Sequence, residues 1–203
     1  MLGRSEPGAP QAWNFSIDVA QAWERALDEA VTPQTRKVKL RSSVVLSPDP
    51  GGIFDTILTL TRRGLGGKAG DGKQYVSWIH EADFVRAIEW ITARESLTDI
   101  VNVASPNPLP NAAFMHDIRT ASHTRIGLSS PEPLISIGAF LMRTETELVL
   151  KSRRVIPGKL LESGFDFTYP TWPQAAIDLC ERSRQRRCRS RAAGVAHPST
   201  SSG

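Results

Sequence analysis

His80 and Asp83 stand three residues apart, directly after the apolar pair Trp78-Ile79. An imidazole and a carboxylate at that spacing can work as an acid–base pair or as two ligands of a metal. A strand-end histidine bonded to backbone, followed by an aspartate stabilising a first helical turn, explains the same spacing without a ligand. The other histidines, at 116, 123 and 197, complete no H-E-x-x-H or similar pattern, so no metal site is predicted. Cys180 and Cys188 are the only cysteines, too few for a disulfide framework or a four-cysteine zinc site.

The densest chemical signal precedes that pair. Gly64, Gly66, Gly67, Gly70 and Gly72 lie within nine residues, followed by Gln74, Tyr75 and Trp78. Glycines at this density supply positive φ angles or close approach of the backbone to another group. Gly64, Gly67 and Gly70 fit a G-x-x-G-x-x-G dinucleotide pattern. Gly67 to Gln74 comes within one residue of a phosphate loop, with Gln74 where Ser or Thr should bind magnesium. Both motifs need a strand leading in and a helix leading out, so that the phosphate rests on the helix N-terminus. Here the order reads helix, loop, strand, and both are rejected.

The elements that must position these residues follow from periodicity. Ser16 can cap a helix to about Ala30, with Val19, Ala20, Trp23, Ala26 and Leu27 on one face, after a loop over 1–15. A strand is predicted over Arg36 to Leu46 and a helix over Ile53 to Arg63, stopped at Gly64. A strand over Tyr75 to Ile79 runs into a helix carrying Phe84, Val85, Ile88 and Ile91, and Ile100 to Val103 is a further strand. Asn111 is placed to cap a helix with Phe114, Met115 and Ile118. Another helix is expected from Leu134 to about Lys151, then a helical turn over Gly158 to Ser163 and a last helix from Pro173 through Cys180. Trp23, Trp78, Trp90 and Trp172 all sit in apolar patterns, which places them in a core rather than against bases. Strands alternating with helices point to an α/β fold with a largely parallel sheet. A doubly wound sheet usually opens on a strand, a glycine turn and a helix, whereas this chain opens on a helix.

Composition narrows the function classes. The 203 residues carry a net charge of +4, but residues 181–203 hold six arginines and one acid, so the preceding 180 residues sum to −1. The basicity therefore belongs to a tail poor in large apolar residues, expected to be disordered, and nucleic acid is an unfavoured partner. The apolar run Leu134 to Met142 is far short of the about 20 residues a membrane helix needs. The first residues lack the apolar core of a secretory signal, and a cytoplasmic compartment is expected.

Five segments together resemble one family: residues 16–24 (SIDVAQAWE), 40–52 (LRSSVVLSPDPGG), 64–83, 102–111 (NVASPNPLPN), and 152–167 with Pro170. From about residue 2 to residue 182 the chain is similar to the C-terminal part of atypical, extended short-chain dehydrogenase/reductases, the epimerase family proteins that carry a C-terminal domain of unknown function. The resemblance implies the C-terminal portion of a Rossmann-like fold with a small helical substrate-side region. Its expected parts are a partial Rossmann-like region over 1–104, a substrate-side region of unknown function over 105–182, and the basic tail over 183–203. NAD or NADP is the cofactor of the full-length family.

Two of the family's signatures are missing from this sequence, the N-terminal cofactor glycine turn and a Tyr-x-x-x-Lys pair. Tyr75 is followed four residues on by Ile79 and Tyr169 by Pro173. The expectation is a chain truncated at its N-terminal side relative to the family, with no catalytic residues and no cofactor bound by itself. The alternative is a non-catalytic module that keeps the fold and has lost the cofactor half. In either case a sheet edge left exposed would favour self-association.

What the resemblance assigns is the substrate side. Ser43, Val44 and Val45 fall on a strand that ends beside the nicotinamide in sugar-nucleotide epimerases and dehydratases, although a plain core strand explains them equally well. Gly66, Gly67, Gln74, Tyr75, Trp78 and His80 are the positions expected to line the site of a small-molecule substrate. Those enzymes place an arginine two residues after the glutamine to grip a nucleotide diphosphate, and Val76 stands here instead. A smaller or less charged ligand is therefore expected.

Overall fold

The computed structural model describes residues 11–128, 152 and 154–195. Helix α1 spans Gln11–Glu29, followed by strands β1, Val38–Ser42, and β2, Val44–Leu46. Helix α2, Ile53–Leu60, continues into a π-helical turn over Thr61–Leu65. After the glycine loop come β3, Tyr75–Val76, β4, Trp78–His80, helix α3, Glu81–Ala93, and β5, Asp99–Val103. Strand β6, Leu109–Pro110, leads into α4, Asn111–Ala121. Two further helices are α5, Gly158–Glu162, and α6, Trp172–Val195.

β1 pairs parallel with β5, Val38 facing Asp99 and Ser42 facing Val103. β2 pairs parallel with β4, Val44 facing Trp78 and Leu46 facing His80. The antiparallel pair β3–β6 sets Tyr75 against Pro110. The predicted strand over 36–46 is thus two strands that change partner at Ser43. The Ser43 amide still donates to the Val103 carbonyl at 3.0 Å, so the backbone runs on without a gap.

Packing on both faces explains why residues 44–46 of β2 and 78–79 of β4 are apolar without alternation. Trp78 and Leu46 face a cluster with Phe54, Leu58, Phe114, Ile118, Trp172 and Leu179, built from α2, α4 and α6. Ile79 and Val45 face the opposite cluster, with Ile91, Val101, Leu160, Phe165 and Phe167. Trp172 is the keystone of the first. Its ring stacks on Phe114 at 4.1 Å and 10°, meets Trp78 edge-on at 4.9 Å, and its indole N–H donates to the Phe114 carbonyl at 3.0 Å. Burying such a side chain contributes roughly 3 kcal/mol, and the stacked pairs add about 1 kcal/mol more.

Four expectations are corrected. α1 already includes residues 11–15, in place of the expected loop; Gln11 and Ala12 favour helix. Trp23 lies on the surface at 73% exposure. α1 is held instead by its polar side, with Arg41 bidentate to Glu24 at 2.9 and 3.0 Å and Lys39 on Asp28 at 2.7 Å. Asn111 is the first helical residue of α4, and Pro110 occupies the cap position. The last helix continues past Cys180 to Val195, replacing the expected disorder over 183–195. Arginine, glutamine and alanine favour helix, and acids elsewhere in the molecule receive two of the arginines: Arg186 pairs with Asp49 and Arg187 with Asp55. The helix predicted over 134–151 lies outside the described residues.

Candidate functional site

The glycine loop is stitched onto the start of α4. Gly64, at φ 84°, turns the chain out of the π-helical turn. Gly66 is buried, and a Cβ there would lie 2.7 Å from the Thr61 side chain. Arg119 of α4 donates to the Gly66 carbonyl, and the Gly67 amide donates to the Leu128 carbonyl at 3.1 Å. Asn111 Oδ1 accepts from the Ala69 amide at 2.8 Å, while Gln74 Nε2 donates to the Ala69 carbonyl at 2.9 Å. The first two amides of α4, those of Asn111 and Ala112, donate to the carbonyls of Gln74 and Gly72 at 2.8 and 3.0 Å. α4, the helix on which the glycine loop rests, therefore spends its first two donors on loop carbonyls, where a phosphate site at a helix N-terminus would leave such amides free.

Gly66, Gly67, Gln74 and Tyr75 share this loop system. Tyr75 is half-buried; its amide donates to Ser152 Oγ at 3.0 Å and Arg154 lies 5.0 Å from its ring centre. Val76 packs against the α2–α4–α6 cluster. Trp78 is fully buried, its indole N–H donating to the Asn107 carbonyl at 3.2 Å. Ser43, Val44 and Val45 lie apart, at the β1–β2 junction. Ser43 Oγ donates to the Val103 carbonyl at 3.3 Å, and the two valines pack into opposite clusters.

His80 is also fully buried and joins a different assembly. Its Nδ1 accepts from the Ala82 amide at 3.1 Å, capping α3, so the ring proton sits on Nε2 and points to Asp178 Oδ2 at 2.9 Å. Tyr169 stacks on the imidazole at 3.9 Å. Arg182 joins Asp178, at 3.3 Å, to Glu81. Burial holds the His80 pKa below its ordinary value, opposed by the hydrogen bond and charge of Asp178. Asp83, also fully buried, accepts from the Thr168 and Tyr169 amides at 2.8 Å each and from Arg86 at 3.0 Å. Together these groups clamp the 168–182 segment onto β4 and α3.

Little of this is poised for proton transfer. Burial, and then its bond to Asp178, raises the Tyr169 phenol, and burial pushes the Cys180 thiol up to about 11. No group of three His, Cys, Asp or Glu among the described residues could hold a metal. Sequence reasoning missed Asn111 and Arg119 as loop anchors, and Tyr169, Asp178 and Arg182 as partners of His80. Only Asn111 left a local trace, as a predicted cap.

Residues 130–179 match a family model described as a domain of unknown function (DUF1731). An epimerase family protein of Mycobacterium bovis is 35% identical over 161 residues, 79% of this chain and 52% of that protein. One from Staphylococcus aureus is 30% identical over 167 residues, 82% and 54%. Among solved structures, a human epimerase family protein crystallised with NADPH superposes with a TM-score of 0.73 at 28% identity, over 82% of this chain and 55% of that one. A nucleoside-diphosphate sugar epimerase from Corynebacterium glutamicum gives 0.60 at 23% identity, over 96% and 42%, a likeness of fold. The chain spans about half the length of the curated relatives it matches.

Proposed function

We propose, from the premise that this chain belongs to the epimerase family of extended short-chain dehydrogenase/reductases, that it forms the substrate side of an NAD(P)-dependent oxidoreductase or epimerase-like protein. The observation that carries this reading is the superposition, over 82% of the chain, on the human family member crystallised with NADPH. The glycine loop anchored by Asn111 and Arg119, with Tyr75 beside it, is the surface we assign to a small-molecule substrate. Val76, packed in the core where related enzymes place an arginine, favours a ligand smaller or less charged than a nucleotide-diphosphate sugar.

We expect the chain by itself to bind no nicotinamide nucleotide, and three features of the described residues support this. The first two α4 amides are engaged by Gln74 and Gly72, the amide and the hydroxyl of Ser43 both donate to Val103, and neither tyrosine has a lysine four residues on. No chemical step is therefore assigned to the chain alone. The test is a fluorescence titration of the purified 203-residue chain with NADPH and with NADH. The expected result is no saturable change at high micromolar cofactor. Saturable binding would overturn the reading and place a complete cofactor site within these residues.

A further inference from the structure

Three arginines from two distant stretches converge outside the surfaces described so far. Arg62, in the π-helical turn, and Arg184 and Arg187, on α6, line an open cavity of about 220 Å³ together with Cys188. That volume corresponds to roughly seven water molecules. Arg187 is anchored there, donating to Asp55 Oδ1 and Thr59 Oγ1 of α2 at 3.2 Å each. Among the described residues neither Arg62 nor Arg184 forms an ion pair, and Arg62 is half-buried. Burial, and then the charges of Arg187 and Arg184, hold the Arg62 guanidinium below its ordinary value. Two cations without an ion-pair partner among the described residues, beside a third and one of them half-buried, are stabilised by an anion placed between them.

We propose that Arg62, Arg184 and Arg187 form a binding site for a small, multiply charged phosphate anion where α6 meets α2 and the π-helical turn. Guanidinium forks match phosphate oxygens in pairs, which distinguishes this ligand from a simple halide. The cavity favours a compact anion over a nucleic-acid backbone. Arg182, Arg186 and Arg187 are already committed to Glu81, Asp49 and Asp55, so the helix does not offer an unbroken basic stripe. The site is separate from the glycine loop and does not depend on the function proposed there.

Inorganic pyrophosphate, titrated calorimetrically into the full chain at physiological salt, is expected to bind saturably with one site per chain. Arg62→Gln and Arg184→Gln should each weaken it at least about tenfold, as loss of a charge-assisted bond does, while Arg63→Gln leaves it unchanged. Arg184 is exposed, so its variant folds even where Arg62→Gln does not. Cys188, the exposed cysteine of the two, gives a second readout: pyrophosphate should slow its alkylation by iodoacetamide, and not in the Arg184→Gln chain. Absence of saturable binding, equal binding by Arg184→Gln, or an equal effect of chloride would overturn the proposal. So would preferential binding of a DNA duplex with a steep salt dependence, which would make the patch a polyelectrolyte contact.

Discussion

Asp83, itself fully buried, satisfies two backbone amides and an arginine with one side chain. Asp83→Ala is expected to cost about 2 kcal/mol, because two part-buried amide donors lose their acceptor, and Asp83→Asn, which keeps one acceptor oxygen, about half of that. Urea denaturation followed by tryptophan fluorescence measures both. His80 supports a prediction of a different kind. The groups facing it are Asp178, Tyr169, Arg182 and Asp83. Protonation at Nδ1 would turn the acceptor of the Ala82 amide into a second donor, so the folded state binds that proton less readily than the unfolded chain. A folded pKa below the unfolded value of about 6.5 gives stability that is complete above that pH and is lost as pH falls toward the folded value. Denaturation midpoints at about pH 7.5 and 5.5 should therefore diverge more in the native chain than in His80→Asn, whose side chain caps α3 without titrating.

The glycine loop and α4 act as one element, since the loop supplies the acceptors for the helix's first amides. Gly66→Ala is expected to cost about 2 kcal/mol by overpacking against Thr61, whose backbone Cα at 2.9 Å cannot retreat. Gly51→Ala is the control: its Cβ meets nothing within 4 Å, so its cost of about 1 kcal/mol is the positive φ alone. Thermal denaturation of the two variants separates crowding from backbone strain. At this scale the sequence is informative wherever the signal is local. Gly64 and Gly164 both take positive φ where a helix had to stop, and the apolar runs at 44–46 and 78–79 become strands buried on both faces. It is uninformative where the partner is remote. Residues 183–195 read as disordered because their own composition holds no core, and the acids that receive them lie more than 130 positions upstream. A separation of 98 positions likewise hid Asp178 from His80, whereas the glycine loop was visible because its glycines announce themselves within nine residues.

For the whole molecule, the amphipathic α1 leaves Trp23 and nearby Val31 in solvent, at 73% and 91% exposure, and β1 has β5 as its one strand partner among the described residues. An apolar helix face beside an unpaired strand edge favours association. Light scattering on the purified chain is expected to show a mean mass that rises with concentration, and Trp23→Glu should lower it toward the monomer. A mass independent of concentration would remove this expectation. The long-range closure at Trp172 has a consequence for how the chain is made. Translation releases Phe54, Leu58, Trp78 and Phe114 well before Trp172 and Leu179 leave the ribosome, so half of the main core has no lid until residues 172–179 have been made. During that interval the nascent chain presents a sticky surface that must wait or be shielded. A ribosome that stalls short of residue 172 thus leaves a product for quality control, with no shorter folded version on which to fall back.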